Sequence, residues 1–140
     1  MTIGGGRAAA ARAASISEEE ALYRSLASCG AVLIAFIGVA HETIGHIVFP
    51  WGPAYLGGTI GWHATGLIAI AAGLLLLGGT LRLYRYPVVP SALFGAAAGA
   101  FFLIVTAVQH QEFHMFALVG FFAGVGTAYF HHKADGCAKR

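Results

Sequence analysis

The amino-acid sequence predicts an all-α integral membrane protein, folded as an antiparallel four-helix bundle with both termini on the cytoplasmic side. Of its 140 residues, 58% are hydrophobic and only 10% are charged. A soluble domain usually carries about 25% charged residues, because its surface must face water. Four apolar stretches approach the roughly 20 residues needed to cross a bilayer. The basic residues also follow a one-sided distribution, which indicates the orientation of the bundle.

The predicted boundaries follow from the apolar stretches and from the signals at their ends. Ser17, followed by three glutamates, is typical of a helix N-cap with acidic residues in its first turn, so the first helix is expected to begin near Ile16. The predicted parts are a flexible N-terminal tail (1–14), a membrane domain (15–132) with spans at about 22–46, 61–80, 91–108 and 113–130, and a C-terminal tail (133–140).

The connections between the spans differ in character. Residues 81–90 form a polar loop closed by proline, whereas residues 47–60 contain two prolines, a glycine pair and aromatic side chains typical of the membrane interface. Trp62 is expected at the same interfacial level. The connection at 109–112 leaves room only for a tight hairpin. Short connections predict that helices adjacent in the sequence are also adjacent in space.

The orientation is predicted by the positive-inside rule. All eight Lys and Arg residues lie in or beside the N-terminal tail, the 81–90 loop and the C-terminal tail, and the other two connections contain none. Both termini are therefore placed in the cytoplasm, and the cell inner (plasma) membrane is the expected location. An alternative is signal-peptidase cleavage after Ala40, since Gly38-Val39-Ala40 is a small-x-small pattern. The acidic run before the apolar stretch disfavours it.

Two pairs of glycines spaced four residues apart predict close packing between helices. They are Gly95 with Gly99 in the third span and Gly120 with Gly124 in the fourth. Small residues at this spacing let helix backbones approach closely. We interpret them first as packing within the bundle. A homo-oligomer or a place in a larger membrane complex is the alternative use of the same pattern.

Five of the seven histidines and two glutamates are predicted to meet at the outer membrane face. This topology brings them there from all four spans, whereas His131 and His132 fall at the cytoplasmic side and are interpreted as ordinary tail residues. The predicted ligand set is Glu42, His46, His63, His110 and His114, with His41 and Glu112 as alternative or supporting ligands.

Imidazole and carboxylate groups at this depth are costly unless they are paired, hydrated or bound to something. Both are common ligands of divalent transition metals, and Zn, Cu and Fe all accept them. Glu42 and His46 share a helix face at this spacing, although the segment is not the H-E-x-x-H of zinc proteases because its second histidine comes one residue late. The sequence therefore predicts a metal-binding site, catalytic or metal-handling.

Two other functions compete with the metal site. A b-type haem is one, with His63 and His110, or His46 and His114, as the axial pair. A cofactor-free accessory subunit of a larger membrane complex is the other. Nucleic-acid binding has no support, since there is no basic cluster interleaved with aromatic residues. An ion-coupled transporter is the weakest hypothesis, because no ionisable side chain occurs in the inner two-thirds of any span.

Overall fold

The fold consists of four long helices and one short one in a computed structural model that describes residues 17–48, 58–111 and 114–139. No strand occurs within these ranges, so the all-α four-helix prediction is confirmed. The helices are α1 (Glu18–Thr43), the single turn α2 (Gly45–Val48), α3 (Thr59–Thr80), α4 (Val88–His110) and α5 (Met115–Ala138).

Helix α1 begins as its sequence predicts and ends earlier than predicted. The hydroxyl of Ser17 accepts a hydrogen bond from the backbone N–H of Glu20 at 3.1 Å, which is the expected N-cap. At the other end, the helix stops at Thr43 and a separate turn follows from Gly45. Gly45 lies against Trp62, where an added Cβ would come within 2.7 Å of the ring. The prediction of a continuous helix through His46 is therefore wrong.

The other helices extend beyond the predicted spans. Helix α4 begins at Val88, so that Pro90 lies in its first turn, where a missing backbone N–H costs nothing. Helix α5 continues to Ala138, well past the predicted end of the fourth span at residue 130. Most of the segment 133–140 is therefore helical. The predicted tail at residues 1–14 and residues 49–57 of the 47–60 connection lie outside the described residues.

The packing order in space is α3, α1, α5 and α4. Helix α1 packs along both α3 and α5, and α4 packs along α5. The prediction that the third and fourth spans pack together is confirmed. Helices α3 and α4, although consecutive, contact each other only slightly. The bundle is therefore open between these two helices.

Small side chains fill the interior of the bundle, and large apolar side chains cover its outside. Buried positions are mostly alanine, glycine and threonine, and the largest fully buried side chains are Val88, Thr80, Thr106 and Thr127. On the outside, Ile60 is 86% exposed and Phe94 is 79% exposed. A water-soluble bundle would bury such side chains, whereas membrane helices associate through small residues.

Three of the long helices are long and apolar enough to cross a membrane: α1, α3 and α4 up to Gln109. This is compatible with a membrane protein. Helix α5 falls outside this group over its described residues, since polar groups occupy its final part, among them His131, His132, Lys133 and Asp135. The fourth span therefore stays a prediction.

Within each of the two glycine pairs, one glycine lies at a helix interface and the other does not. Gly99 and Gly124 lie in the α4–α5 interface, where an added Cβ at Gly124 would come within 2.8 Å of the Ala92 carbonyl oxygen. Gly95 faces open space, and Gly120 has only a distant side-chain neighbour. One glycine of each pair thus packs helices together as predicted, while the other leaves room beside the interface.

Candidate functional site

The predicted site residues that the structure describes lie at one end of the bundle. We call this the histidine end and define it by His41, Glu42, His63 and His114. His41 and Glu42 occupy the last turn of α1, His63 lies near the start of α3, and His114 is the N-cap of α5. Glu112 and the side chains of His46 and His110 lie outside the described parts of the structure.

Glu42 and His63 form a direct pair between α1 and α3. The Nδ1 atom of His63 lies 2.6 Å from Oε2 of Glu42. A carboxylate only accepts hydrogen bonds, so Nδ1 carries the proton and donates it. In the neutral ring, the lone pair is then on Nε2. The side chain of His63 is 55% exposed, so a ligand can approach the ring that carries Nε2.

Gly66 provides the space in which the Glu42 carboxylate lies. A Cβ added at Gly66 would overlap Oε1 of Glu42 and come within 2.8 Å of its Cδ. Oε1 itself is buried and has no hydrogen-bond partner among the described residues. Since every larger residue at position 66 would displace the carboxylate, the Glu42–His63 pair depends on this glycine.

His41 is held against Trp62 and not against Glu42. The two rings stack with centroids 3.8 Å apart, and Nε2 of His41 lies 3.0 Å from the Trp62 carbonyl oxygen. Both residues are buried, with Trp62 only 4% exposed. Stacking on His41 and contact with Gly45 thus bury the indole of Trp62 within the protein. The predicted interfacial level of Trp62 stays a prediction.

His114 is buried at the junction of α4 and α5. Its Nδ1 accepts a hydrogen bond from the backbone N–H of Ala117 at 3.1 Å, which caps the first turn of α5. The ring also meets Phe102 edge-on at a centroid distance of 5.1 Å. The tight hairpin thus delivers one histidine to the bundle interior.

A metal cluster is not formed by these described side chains. No group of three or more His, Cys, Asp or Glu residues with the geometry to hold a metal occurs among residues 17–48, 58–111 and 114–139. The described members of the ligand set are instead the Glu42–His63 pair and two buried histidines with separate contacts, His41 against Trp62 and His114 at the start of α5. The larger cluster, which needs His46, His110 and Glu112, stays a prediction.

A cavity of about 660 Å³ begins at the buried histidines and follows the opening between α3 and α4. All four long helices contribute to its wall. The wall is mainly apolar, and its polar groups are concentrated near the two ends. His41, Thr65 and His114 lie near one end, and Tyr86 and Ser91 near the other. Sequence reasoning did not find this cavity, although Gly95 and Gly120, two of its lining residues, were noted.

A network of charged side chains ties together the opposite end of the bundle, which we call the arginine end (Glu20, Arg24, Arg82 and Asp135). Arg24 donates two hydrogen bonds to Oε1 of Glu20, at 2.7 and 2.9 Å, and a third to the Thr80 carbonyl oxygen at 3.1 Å. Asp135 lies 3.6 Å from Arg24 and 3.5 Å from Arg82. Two cations and two carboxylates thus join α1, α5 and the end of α3.

His131 belongs to this network, so its interpretation as an ordinary tail residue is wrong. It is only 8% exposed, and its Nε2 lies 3.5 Å from Oδ2 of Asp135. Burial lowers the pKa of His131, Asp135 opposes this effect, and the charges of Arg24 and Arg82 add to the lowering. The signal that sequence reasoning missed is the i, i+4 spacing of His131 and Asp135 within a longer α5.

The lowered pKa of His131 predicts a pH-dependent stability. The unfolded imidazole binds a proton near pH 6.5, and the folded one only at lower pH, so the unfolded state holds more protons between these values. The stability that depends on keeping His131 neutral is present above pH 6.5 and is lost as the pH falls below that value. Unfolding in detergent at pH 7.5 and 5.5 should therefore show a smaller pH effect for His131→Gln than for the wild type. An equal effect in both proteins would contradict this.

Comparisons with protein-family models, with curated proteins and with solved structures found no match to this chain.

Proposed function

We propose that this chain is a small integral membrane protein that binds a divalent transition metal (Zn, Cu or Fe) at the histidine end. The 2.6 Å hydrogen bond between Glu42 and His63 carries the proposal. Metal-binding histidines commonly donate their second ring N–H to a carboxylate, which fixes the tautomer and raises the basicity of the ligand nitrogen. His63 has this arrangement, with Nε2 as the nitrogen available to a metal.

The roles within the proposed site differ from those assigned by spacing alone. His63 is the principal ligand, and Glu42 orients it from the notch beside Gly66. Histidines 46 and 110 and Glu112 are the further ligands needed for a four-coordinate site. His41 and His114 line the cavity, and we assign them as supporting groups near the metal. Whether the bound metal is catalytic depends on a coordination position that remains open to water.

The proposed setting is a bilayer crossed by four antiparallel spans, with both termini in the cytoplasm of a cell inner (plasma) membrane. The large apolar side chains on the outside and the small ones in the core support insertion. The position of Arg24, Arg82 and Lys133 towards one end supports the orientation, because basic groups favour the cytoplasmic side. Assembly into a homo-oligomer or into a larger membrane complex remains an alternative use of the glycine pairs.

Zinc titration of the detergent-purified protein tests the metal site. The wild type, first stripped with a chelator, should bind Zn²⁺ in isothermal titration calorimetry. Glu42→Gln should weaken binding by about 10- to 100-fold, the usual cost of losing a group that orients a ligand. His63→Ala should weaken it more, because it removes the ligand nitrogen itself.

His132→Ala is the matched control for this titration. It removes an exposed histidine from the far end of α5 and should leave the affinity unchanged. Equal Zn²⁺ affinity in the wild type and His63→Ala would overturn the proposed site. Elemental analysis of the protein as purified identifies the metal, and an absorption spectrum with a Soret band would instead select the haem alternative. The absence of both metal and haem from the purified protein would favour the cofactor-free accessory subunit.

A further inference from the structure

The cavity between α3 and α4 reaches the loop that joins these two helices. Tyr86, Pro90 and Ser91 line it there, and we call this part the cavity mouth. Phe94 and Gly95 continue the wall along α4. Phe94 is strongly exposed, and a Cβ added at Gly95 would meet nothing within 4 Å. The cavity is therefore accessible from outside the bundle on this side, where a surrounding bilayer would present its lipids.

The cavity has the length and the lining to hold an acyl chain that enters from this mouth. Along α4 its wall runs from Pro90 to Phe102, a rise of about 18 Å at 1.5 Å per residue. One leaflet of the hydrocarbon core is about 15 Å thick, half of the whole. The wall beyond Ser91 is apolar on both sides, with Ala72 and Leu76 contributed by α3. An acyl chain would therefore contact the wall over the full depth of its leaflet.

A guanidinium group without a carboxylate partner lies next to the mouth. Arg24 and Arg82 both lie within 4 Å of carboxylates of the arginine end. Arg85 is exposed, and none of the described carboxylates lies within ion-pair distance of it. It directly precedes Tyr86 in the loop that closes the gap between α3 and α4. Its long side chain is thus free to pair with an anion at the cavity mouth.

The first turn of α4 also favours an anion at this place. It contains no acidic residue, and no side chain caps it. Pro90 and Ser91 belong to this turn and line the mouth. The hydroxyl of Ser91 can donate to a phosphate oxygen, and the helix dipole has its positive end here. Together with Arg85, this turn complements an anionic head group whose chain continues into the apolar part of the cavity.

We propose that the cavity mouth binds an anionic phospholipid, with its phosphate at Arg85 and Ser91 and one acyl chain between α3 and α4. Basic pockets between membrane helices on the cytoplasmic side bind such head groups, and that leaflet contains anionic lipids. The site is separate from the proposed metal site. Along α3, His63 is about 26 Å from Thr80, whose carbonyl oxygen bonds Arg24 at the arginine end. The proposal rests on insertion into a membrane and not on a bound metal.

Native mass spectrometry of the lipid-depleted protein in detergent, with a metal chelator present, provides the measurement. The probes are palmitoyl-oleoyl phosphatidylglycerol and the phosphatidylcholine with the same two chains. The first phosphatidylglycerol should bind about fivefold more tightly, which is what one basic residue contributes near an anionic membrane surface. Equal affinities for the two lipids would overturn the anionic head group. Because the chelator is present throughout, the result does not depend on the metal site.

Arg85→Met and Lys133→Met form a matched pair that tests the head group. Each removes one positive charge from an exposed position near the arginine end, and Lys133 lies outside the cavity wall. Arg85→Met should bind the two lipids equally, whereas Lys133→Met should keep the preference for phosphatidylglycerol. A preference that survives in Arg85→Met, or that is lost in both variants, would overturn the assignment of Arg85.

Gly95→Leu and Gly126→Leu test the position of the acyl chain. An added Cβ meets nothing within 4 Å at either glycine, and only Gly95 lines the cavity. Gly95→Leu should weaken both lipids about tenfold or more, since each methylene that loses its apolar contact is worth about fourfold in affinity. Gly126→Leu should bind as the unmodified protein does. Equal affinities of the two variants would overturn the location of the chain.

Dihexanoyl phosphatidylglycerol separates the acyl chain from the head group. It carries the same phosphate and glycerol on two short chains, so it keeps the contact with Arg85 and loses most of the contact with the cavity wall. It should bind much more weakly than the long-chain lipid, by about fourfold for each methylene that no longer contacts the wall. An affinity equal to that of the long-chain lipid would overturn the acyl-chain site and would indicate a site for the phosphate alone.

Discussion

Replacing Arg24 by methionine is expected to lower the free energy of unfolding by about 3–5 kcal/mol, the usual cost of breaking a buried ion pair by removing one partner. Arg24 and Glu20 have side chains only 10% and 8% exposed, and Oε1 of Glu20 accepts two hydrogen bonds from the guanidinium. Methionine keeps much of the side-chain volume. The loss of stability therefore comes from the carboxylate of Glu20, which stays buried and keeps only Arg82, at 3.6 Å, as its cationic partner.

Denaturant unfolding of the protein in detergent measures this effect. Arg85→Met applies the same substitution to an exposed loop arginine and should change the free energy of unfolding by only a few tenths of a kcal/mol. The double variant Glu20→Leu/Arg24→Met should recover most of the loss, because it removes both charges and leaves Arg82 paired with Asp135 at 3.5 Å. A single Arg24→Met variant as stable as Arg85→Met would contradict a buried network at the arginine end.

Replacing Gly73 by leucine is expected to destabilise the bundle by about 3 kcal/mol or more, at the upper end of what overpacking costs. A Cβ at Gly73 would lie 2.7 Å from both Cα and Cβ of Ala35 and closer still to its backbone nitrogen. The clash is with the main chain of α1, which cannot rotate away as a side chain can. Helices α1 and α3 would have to separate along their length.

Gly126→Leu is the control for this second substitution. Both changes remove a glycine from a helix, so they alter the intrinsic helix preference in the same direction and by a similar amount. Only the change at Gly73 meets a neighbouring backbone. Thermal unfolding in detergent should show a much lower transition temperature for Gly73→Leu and little change for Gly126→Leu. Equal transition temperatures would show that α1 and α3 do not pack at this distance.

The sequence alone predicted the helical fold because that information is local. Apolar runs of sufficient length, the N-cap at Ser17 and the prolines near residue 90 are all determined by neighbouring residues. The packing of α4 on α5 also followed from a local cause, the short connection between them. The break after Thr43 was missed because it depends partly on Trp62, which is distant in the sequence and packs against Gly45.

The sequence also placed His41, Glu42, His63 and His114 at one end of the bundle, since each lies at the end of a helix. It could not decide which of them pair. Glu42 pairs with His63 because Gly66 leaves a notch for the carboxylate, and His41 turns to Trp62, whose ring it stacks on. Notches and ring stacking arise between helices, so spacing along one helix does not predict them.

The cavity and the arginine end were likewise decided by the tertiary structure. Helices α3 and α4 are joined by a short loop, which predicted close packing, yet both pack better against the central pair of α1 and α5. The gap that this leaves becomes the cavity. The charged residues of the arginine end are distributed over α1, α5 and the loop after α3, and only the packing order brings them within ion-pair distance. The sequence by itself thus determined the helices and the end to which each polar group belongs, whereas the lateral order of the helices determined which groups meet.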